Sequence, residues 1–412
     1  MDKPIFNIGQ ICELDKWETF QKGQPHNIYK KLREEAPIYW HEESLSFESG
    51  FWALTKHSDV VKVSKDPKTF SSAVGGHLMT MGDPEKVDPA AAAAIIGNMI
   101  GMDPPEHQVY RRMISPSFTP RVIGNMERGI RKKVRELLSK ISIKKEFNFV
   151  TEVSEQLPLW VLCEMMGIKE QERKKVLDLV NSLTDASVNQ DPEKSFQVWV
   201  NYMELFKMGR DMIEDRRANP TDDLMSMVAN TKVEGDAIPP ELLDGFFLLM
   251  VIAGNETTRN TISGGLIALC DFPNEKKKLI ENPSLISNAT DEMLRWVSPV
   301  IYFRRTATKD TKIRGQEIKK GDKVIMWYGA ANRDEEVFKD AHKFKVDRVE
   351  AKKHLAFGAG EHLCLGNRLG HMQIRVLFEE LLSTYPDIEV VSEANRVPSN
   401  FLDAISHLQV RI

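Results

Sequence analysis

The run Phe357-Gly358-Ala359-Gly360-Glu361-His362-Leu363-Cys364-Leu365-Gly366 sets three glycines around one cysteine, directly ahead of an apolar, helix-forming stretch. Glycines let the backbone turn tightly around a single side chain. A helix beginning at Leu365 would aim its first amide N–H groups at the Cys364 sulfur, a setting that favours thiolate over thiol. A buried structural cysteine is the plain alternative. Phe, Gly, His, Cys and Gly at these intervals argue instead for a ligand, and a thiolate on haem iron is the ligand that favours O–O bond cleavage.

A second group, Ala253-Gly254-Asn255-Glu256-Thr257-Thr258, lies at the centre of a helical pattern that Pro239-Pro240 opens and that runs to about Cys270. Gly254 in mid-helix costs about 1 kcal/mol relative to alanine, so something should compensate. A missing side chain permits close approach of a ligand. The Thr257 hydroxyl can bond the Ala253 carbonyl four residues back, loosening the helix into a local bulge. Glu256 beside it adds an acid to the hydroxyl, the pair that proton delivery to dioxygen requires. Alone, the hexapeptide also reads as a tolerated glycine with surface threonines.

Both segments resemble signatures of the cytochrome P-450 family of haem-thiolate monooxygenases, with Glu256 in a slot that takes Asp or Glu, and the resemblance covers essentially the whole chain. It implies haem b (iron protoporphyrin IX) with Cys364 as axial ligand, Phe357 packed on the sulfur side, Gly358 and Gly366 shaping the loop, and His362 at a propionate. It assigns His107, Arg111 and Arg305 to the propionates too, and guanidinium forks suit carboxylates. Glu292 and Arg295, three apart on one helix face, match with Arg348 the family's buried structural triad. Gly370 and Gln373 stand where Ala and Glu are common.

These groups need a scaffold. Extended signals over residues 37–55 around Gly50 predict a hairpin, and helical periodicity fills most of residues 106–300, with breaks at residues 190–192 and 219–221. Sheet returns over residues 301–328 around Arg314-Gly315-Gln316. A last helix begins just after Cys364 and ends near Tyr385-Pro386, followed by strand-like residues 388–391 and 408–412. Ala90 to Ala94 suggest a short local helix. The expected fold is mainly α (α+β), a helical body with small segregated sheets around a buried haem, in one domain spanning residues 1–412.

Hydrophobic residues make up 42% and charged residues 28% of the 412, ample for a large core, and a net charge of -4 argues against nucleic acid. The apolar run over residues 245–254 is half the roughly 20 residues a bilayer helix needs. The first fifteen residues carry no anchor or leader, which predicts a cytoplasmic, bacterial protein. Cys12, Cys163 and Cys270 are scattered with no CxxC pair, and so read as buried small hydrophobes. No nucleotide-binding or iron–sulfur fingerprint occurs. Electrons must therefore come from outside, and ferredoxin with ferredoxin reductase and NAD(P)H is the expected source. Lys352, Lys353, Arg368 and Arg375 are candidates for the docking face, although solvated surface charge explains them as simply.

Residues 298–307, 327–336 and 255–260 resemble a bacterial branch that includes steroid side-chain oxidases, alkane and fatty-acid terminal hydroxylases and terpene alcohol hydroxylases. That likeness implies a hydrophobic substrate oxidised at or near the end of an extended chain. Val74, Leu78, Met99, Ile100, Met250, Val300, Ile301, Phe401 and Leu402 fall in segments that line family pockets, and plain core is the alternative for each. A peroxygenase or a haem sensor would need no Glu256–Thr257 pair, and a haem-free binding module no thiolate loop.

Overall fold

The computed structural model describes residues 13–43, 50–79, 98–182, 192–233 and 235–412. Cys12 and the N-terminal reading, the Ala90 to Ala94 helix and the break at residues 190–191 lie outside the described residues.

The expected hairpin is the pair β1 (Ile38–His41) and β2 (Phe51–Leu54), antiparallel, with Gly50 at a φ of 97° just before β2. They join β3 (Phe70–Ser71), β4 (Tyr302–Ala307) and β5 (Lys323–Trp327) in a five-stranded sheet ordered β1-β2-β5-β4-β3, in which β2 and β5 alone run parallel. Side chains alternate across a strand. Phe51, Ala53, Ile325 and Trp327 enter one apolar cluster, while Trp52, Leu54, Val324 and Met326 enter another on the opposite face. Both faces are thus buried, which accounts for strands of near-continuous apolar residues.

The rest is mostly helical: α1 (Glu106–Ile114), α2 (Pro120–Ile141), α3 (Gln156–Met166), α4 (Glu170–Ser182), α5 (Pro192–Ala218), α6 (Pro240–Asp271), α7 (Ile286–Val297) and α8 (Asn367–Thr384). Proline at N1 starts α6, as its fixed φ favours, and α6 runs about 48 Å at 1.5 Å per residue. One large core cluster draws on α2, α3, α6, α7 and α8 together. Ion pairs at its edge tie α2 to α8, with Arg131 reaching Glu379 (2.6 Å) and Glu380 (2.7 Å), and Arg375 reaching Glu127 (2.7 Å). The architecture is mainly α with small separate sheets. No helix among the described residues is long and apolar enough to cross a membrane.

Candidate active site

The cysteine loop turns through left-handed glycines at Gly358 (φ 71°) and Gly360 (φ 68°). A Cβ at Gly360 would stand 2.2 Å from the Ser64 carbonyl oxygen, so no other residue fits there. The Cys364 N–H donates to the Phe357 carbonyl at 2.8 Å and closes the loop. The helix starts at Asn367, two residues later than Leu365, yet the Gly366 N–H still reaches the sulfur. Burial pushes the Cys364 thiol up, while that amide and the Arg111 guanidinium favour the anion.

A cavity separates this loop from α6. Its lower wall includes Phe357, Gly358, Cys364 and Gly366, and α6 presents Leu249, Met250, Ala253, Gly254, Thr257, Thr258 and Thr261, one stripe at helical spacing. The Thr257 hydroxyl donates to the Ala253 carbonyl at 2.9 Å. The expected bulge is absent: α6 is continuous through this point, because the hydroxyl bond forms without interrupting the helix. Gly254 lines the cavity, and a Cβ there would also lie 3.2 Å from Leu162 Cδ1 on α3, a tight contact that the leucine side chain would have to yield to. Glu256, expected beside Thr257, does not line the cavity. About 100° of helical rotation per residue turns it into the protein, fully buried and paired with Arg259, where burial raises its carboxyl pKa against that guanidinium's pull.

One side of the cavity is cationic. Arg305, buried, donates to the Arg304 carbonyl at 2.7 Å and has no carboxylate partner among the described residues. The His107 and His362 rings lie 4.1 Å apart. Neither nitrogen of the buried His107 finds a hydrogen-bond partner among the described residues. His362 is pushed down to about 2 by burial, then by Arg305, His107 and Arg111, while its Nε2 meets Ser72 Oγ at 3.2 Å. Buried, unpartnered donors beside an uncompensated guanidinium call for an anion. With the Cys364 sulfur on the cavity that α6 also lines, this donor set fits a haem and its two carboxylates.

Of the apolar residues singled out in the sequence, Met99, Ile100, Met250 and Val300 stand on the cavity wall. Val74 is 53% exposed and Leu78 half-buried, both off the wall. Ile301 belongs to the core beneath the sheet, and Phe401 packs against that same core. Leu402 is buried and bridges Val300 through the backbone. Alternation in the segment after Pro299 explains Ile301, whose side chain points opposite to that of Val300. Sequence reasoning missed Phe303, Tyr328 and the α3 wall of Pro158, Val161, Leu162 and Met165. The last four recur at i, i+3, i+4 and i+7, a visible signal of a shared face but not of what it faces.

Glu292, Arg295 and Arg348 form one buried network: Glu292 accepts from Arg295 at 2.7 and 2.8 Å, from Arg348 at 2.9 Å and from the Lys345 N–H at 2.8 Å. Lys352, Lys353 and Arg368 are exposed near the thiolate loop, whereas Arg375 is engaged with Glu127 and Glu379.

Fold and site together define a haem-thiolate enzyme. A model of the cytochrome P450 family matches residues 2–405. The chain is 37% identical to linalool 8-monooxygenase of Pseudomonas putida, over 97% of this chain and 98% of that protein. It is 35% identical to a methyl-branched lipid omega-hydroxylase of Mycobacterium tuberculosis, over 99% and 95%. Among solved structures it resembles Mycobacterium marinum cytochrome P450 CYP268A2 in complex with pseudoionone, with a TM-score of 0.91, 32% identity and full coverage of both chains. The chain belongs to the cytochrome P450 family; it is a monooxygenase, and membership implies a haem cofactor.

Proposed function

We propose that this monooxygenase hydroxylates an elongated apolar molecule, such as a steroid side chain, terpenoid, alkane or fatty acid, at or near the end of its chain. The observation that carries the reading is the apolar lining that Met99, Ile100, Leu249, Met250, Val300 and Phe303 give to the cavity that Cys364 also lines. The relatives named for linalool and for methyl-branched lipids support it. Haem b, held by Cys364, supplies the dioxygen and electron-transfer chemistry. Arg305, Arg111, His107 and His362 bind its carboxylates. The apolar walls exclude water, and the Thr257 hydroxyl, held by Ala253, passes on protons that Glu256 supplies once its carboxyl leaves Arg259 and turns toward the cavity. A chain-end C–H bond is stronger than its internal neighbours, so terminal attack is a matter of position. Val300 and Phe303 must hold the end of the chain and keep weaker bonds away.

The electrons come from a ferredoxin and its NAD(P)H-dependent reductase, which the exposed Lys352, Lys353 and Arg368 suit as an acidic partner. The whole chain, residues 1–412, acts as one cytoplasmic bacterial haem domain. Screening sterols, terpenes, alkanes and fatty acids for a Soret shift, then analysing products with ferredoxin, reductase and NAD(P)H, tests the reading. Exclusive oxidation of compact aromatic compounds, or no turnover of any of these classes, would sink it.

A further inference from the structure

Just before α3, residues Val150–Ser154 form a π-helical turn, closed by the Glu155 N–H on the Val150 carbonyl at 3.1 Å. Such turns insert an extra residue, rotate the helix beyond them, and often occur at functional sites. This one brings Ser154 Oγ to 2.8 Å from Ser263 Oγ on α6 and sets Glu155 Oε2 3.9 Å from Arg259 Nη1. Arg259 is the partner of Glu256. Its Nη1 also donates to Asn181 Oδ1 at 2.8 Å, and its Nε is buried without a partner among the described residues. One guanidinium thus stands between two buried carboxyls. Glu256 is sealed, whereas Glu155, Arg259 and Asn181 floor a second cleft, whose rim includes the exposed Lys140, Lys174 and Asp178.

We propose that Glu155 is the outer carboxyl of a proton inlet that feeds Glu256 from this cleft, with Arg259 as the shared counter-ion. The inference rests on the reading of Glu256 as the acid that serves Thr257. Gln156 Nε2 donates to Glu155 Oε1 at 3.4 Å, and at the rim Lys174 and Asp178 act on Glu155 with opposite sign, so Arg259 is the buried cation that both carboxyls face and the trio holds an extra proton. Burial raises both carboxyls, in agreement. At rest the proton is on Glu155 and Arg259 pairs with Glu256. Glu155 releases it through water to the Glu256 carboxylate as the guanidinium moves its ion pair to Glu155, and cleft water reprotonates Glu155. Arg259 stays charged throughout, and the net charge of the trio is unchanged until cleft water supplies the next proton.

The test is Glu155→Gln in the haem-loaded protein, alongside Glu155→Asp and Glu256→Gln. Expected for Glu155→Gln are product formation slowed roughly tenfold, short of the ~10²-fold typical of losing a direct general acid, and a larger solvent deuterium isotope effect. A protonated-carboxyl infrared band of the resting protein should also be lost. Glu155→Asp should restore both rate and band, which a purely structural role would not require, and the Soret response to substrate should stay as in wild type. Wild-type rate, isotope effect and infrared band in Glu155→Gln, with Glu256→Gln slow, would overturn the inlet alone. An unaffected Glu256→Gln would remove the acid on which it rests, and both readings would fall.

Discussion

Thr257 Oγ1 is held 2.9 Å from the Ala253 carbonyl oxygen on the cavity face of α6, while its neighbour Glu256 is turned away into an ion pair with Arg259. The alcohol and the acid are adjacent in sequence but occupy different environments, and they should fail differently when changed.

Thr257→Ala removes the hydroxyl without touching the apolar walls. Substrate affinity, read from the Soret shift, should change less than about twofold, equivalent to roughly 0.4 kcal/mol. Electrons should be diverted to hydrogen peroxide. Thr257→Ser should recover coupling, and full coupling in the alanine variant would show that protons arrive elsewhere.

Glu256→Gln should slow turnover by about 10², the lower end of general acid–base contributions, without the peroxide leak of Thr257→Ala. The measurement is NAD(P)H consumption against product and peroxide formed. A peroxide yield equal to that of Thr257→Ala would merge the two roles.

Cys364→Ser should abolish the thiolate signature in the carbon monoxide difference spectrum of the reduced protein. Cys163, buried in the core, and the half-buried Cys270 offer no substitute. Retention of the thiolate band would defeat the assignment of the site.

Glu292→Ala leaves Arg295 and Arg348 buried without their carboxylate. Breaking a buried ion pair on one side costs about 3–5 kcal/mol. Urea unfolding should therefore show a large drop in midpoint, with little change in Soret response in whatever protein folds. A loss under about 1 kcal/mol would mean that water or backbone groups replace the carboxylate.

Val300→Ala enlarges the cavity wall directly and should spread oxidation from the chain end to internal carbons. Phe401→Ala acts at one remove, since its ring lies 5.7 Å from that of Phe303 and 5.5 Å from that of Tyr302. It should alter regiochemistry less and stability more. Product analysis by mass spectrometry distinguishes the two, and unchanged regiochemistry in Val300→Ala would remove it from the specificity wall.

Much was legible in the sequence because it is local. The turn around Cys364 is written in its glycines, the start of α6 in Pro239-Pro240, and the Thr257 to Ala253 bond in the four-residue period of a helix. The near-continuous apolar runs Phe51-Trp52-Ala53-Leu54 and Val324-Ile325-Met326-Trp327 announced strands, and the assembled sheet buried both of their faces. Tertiary structure decided what chain neighbours cannot. Glu256 faces Arg259 because helical rotation parts it from Thr257 and a carboxylate sealed in the core needs a counter-charge. Gly254 stands on the cavity face within reach of Leu162, ninety-two positions earlier, a contact that only the packed helices bring about. Ile301 and Val300 part company because successive side chains in an extended segment point to opposite sides, and only the assembled sheet and cavity determine which side is core.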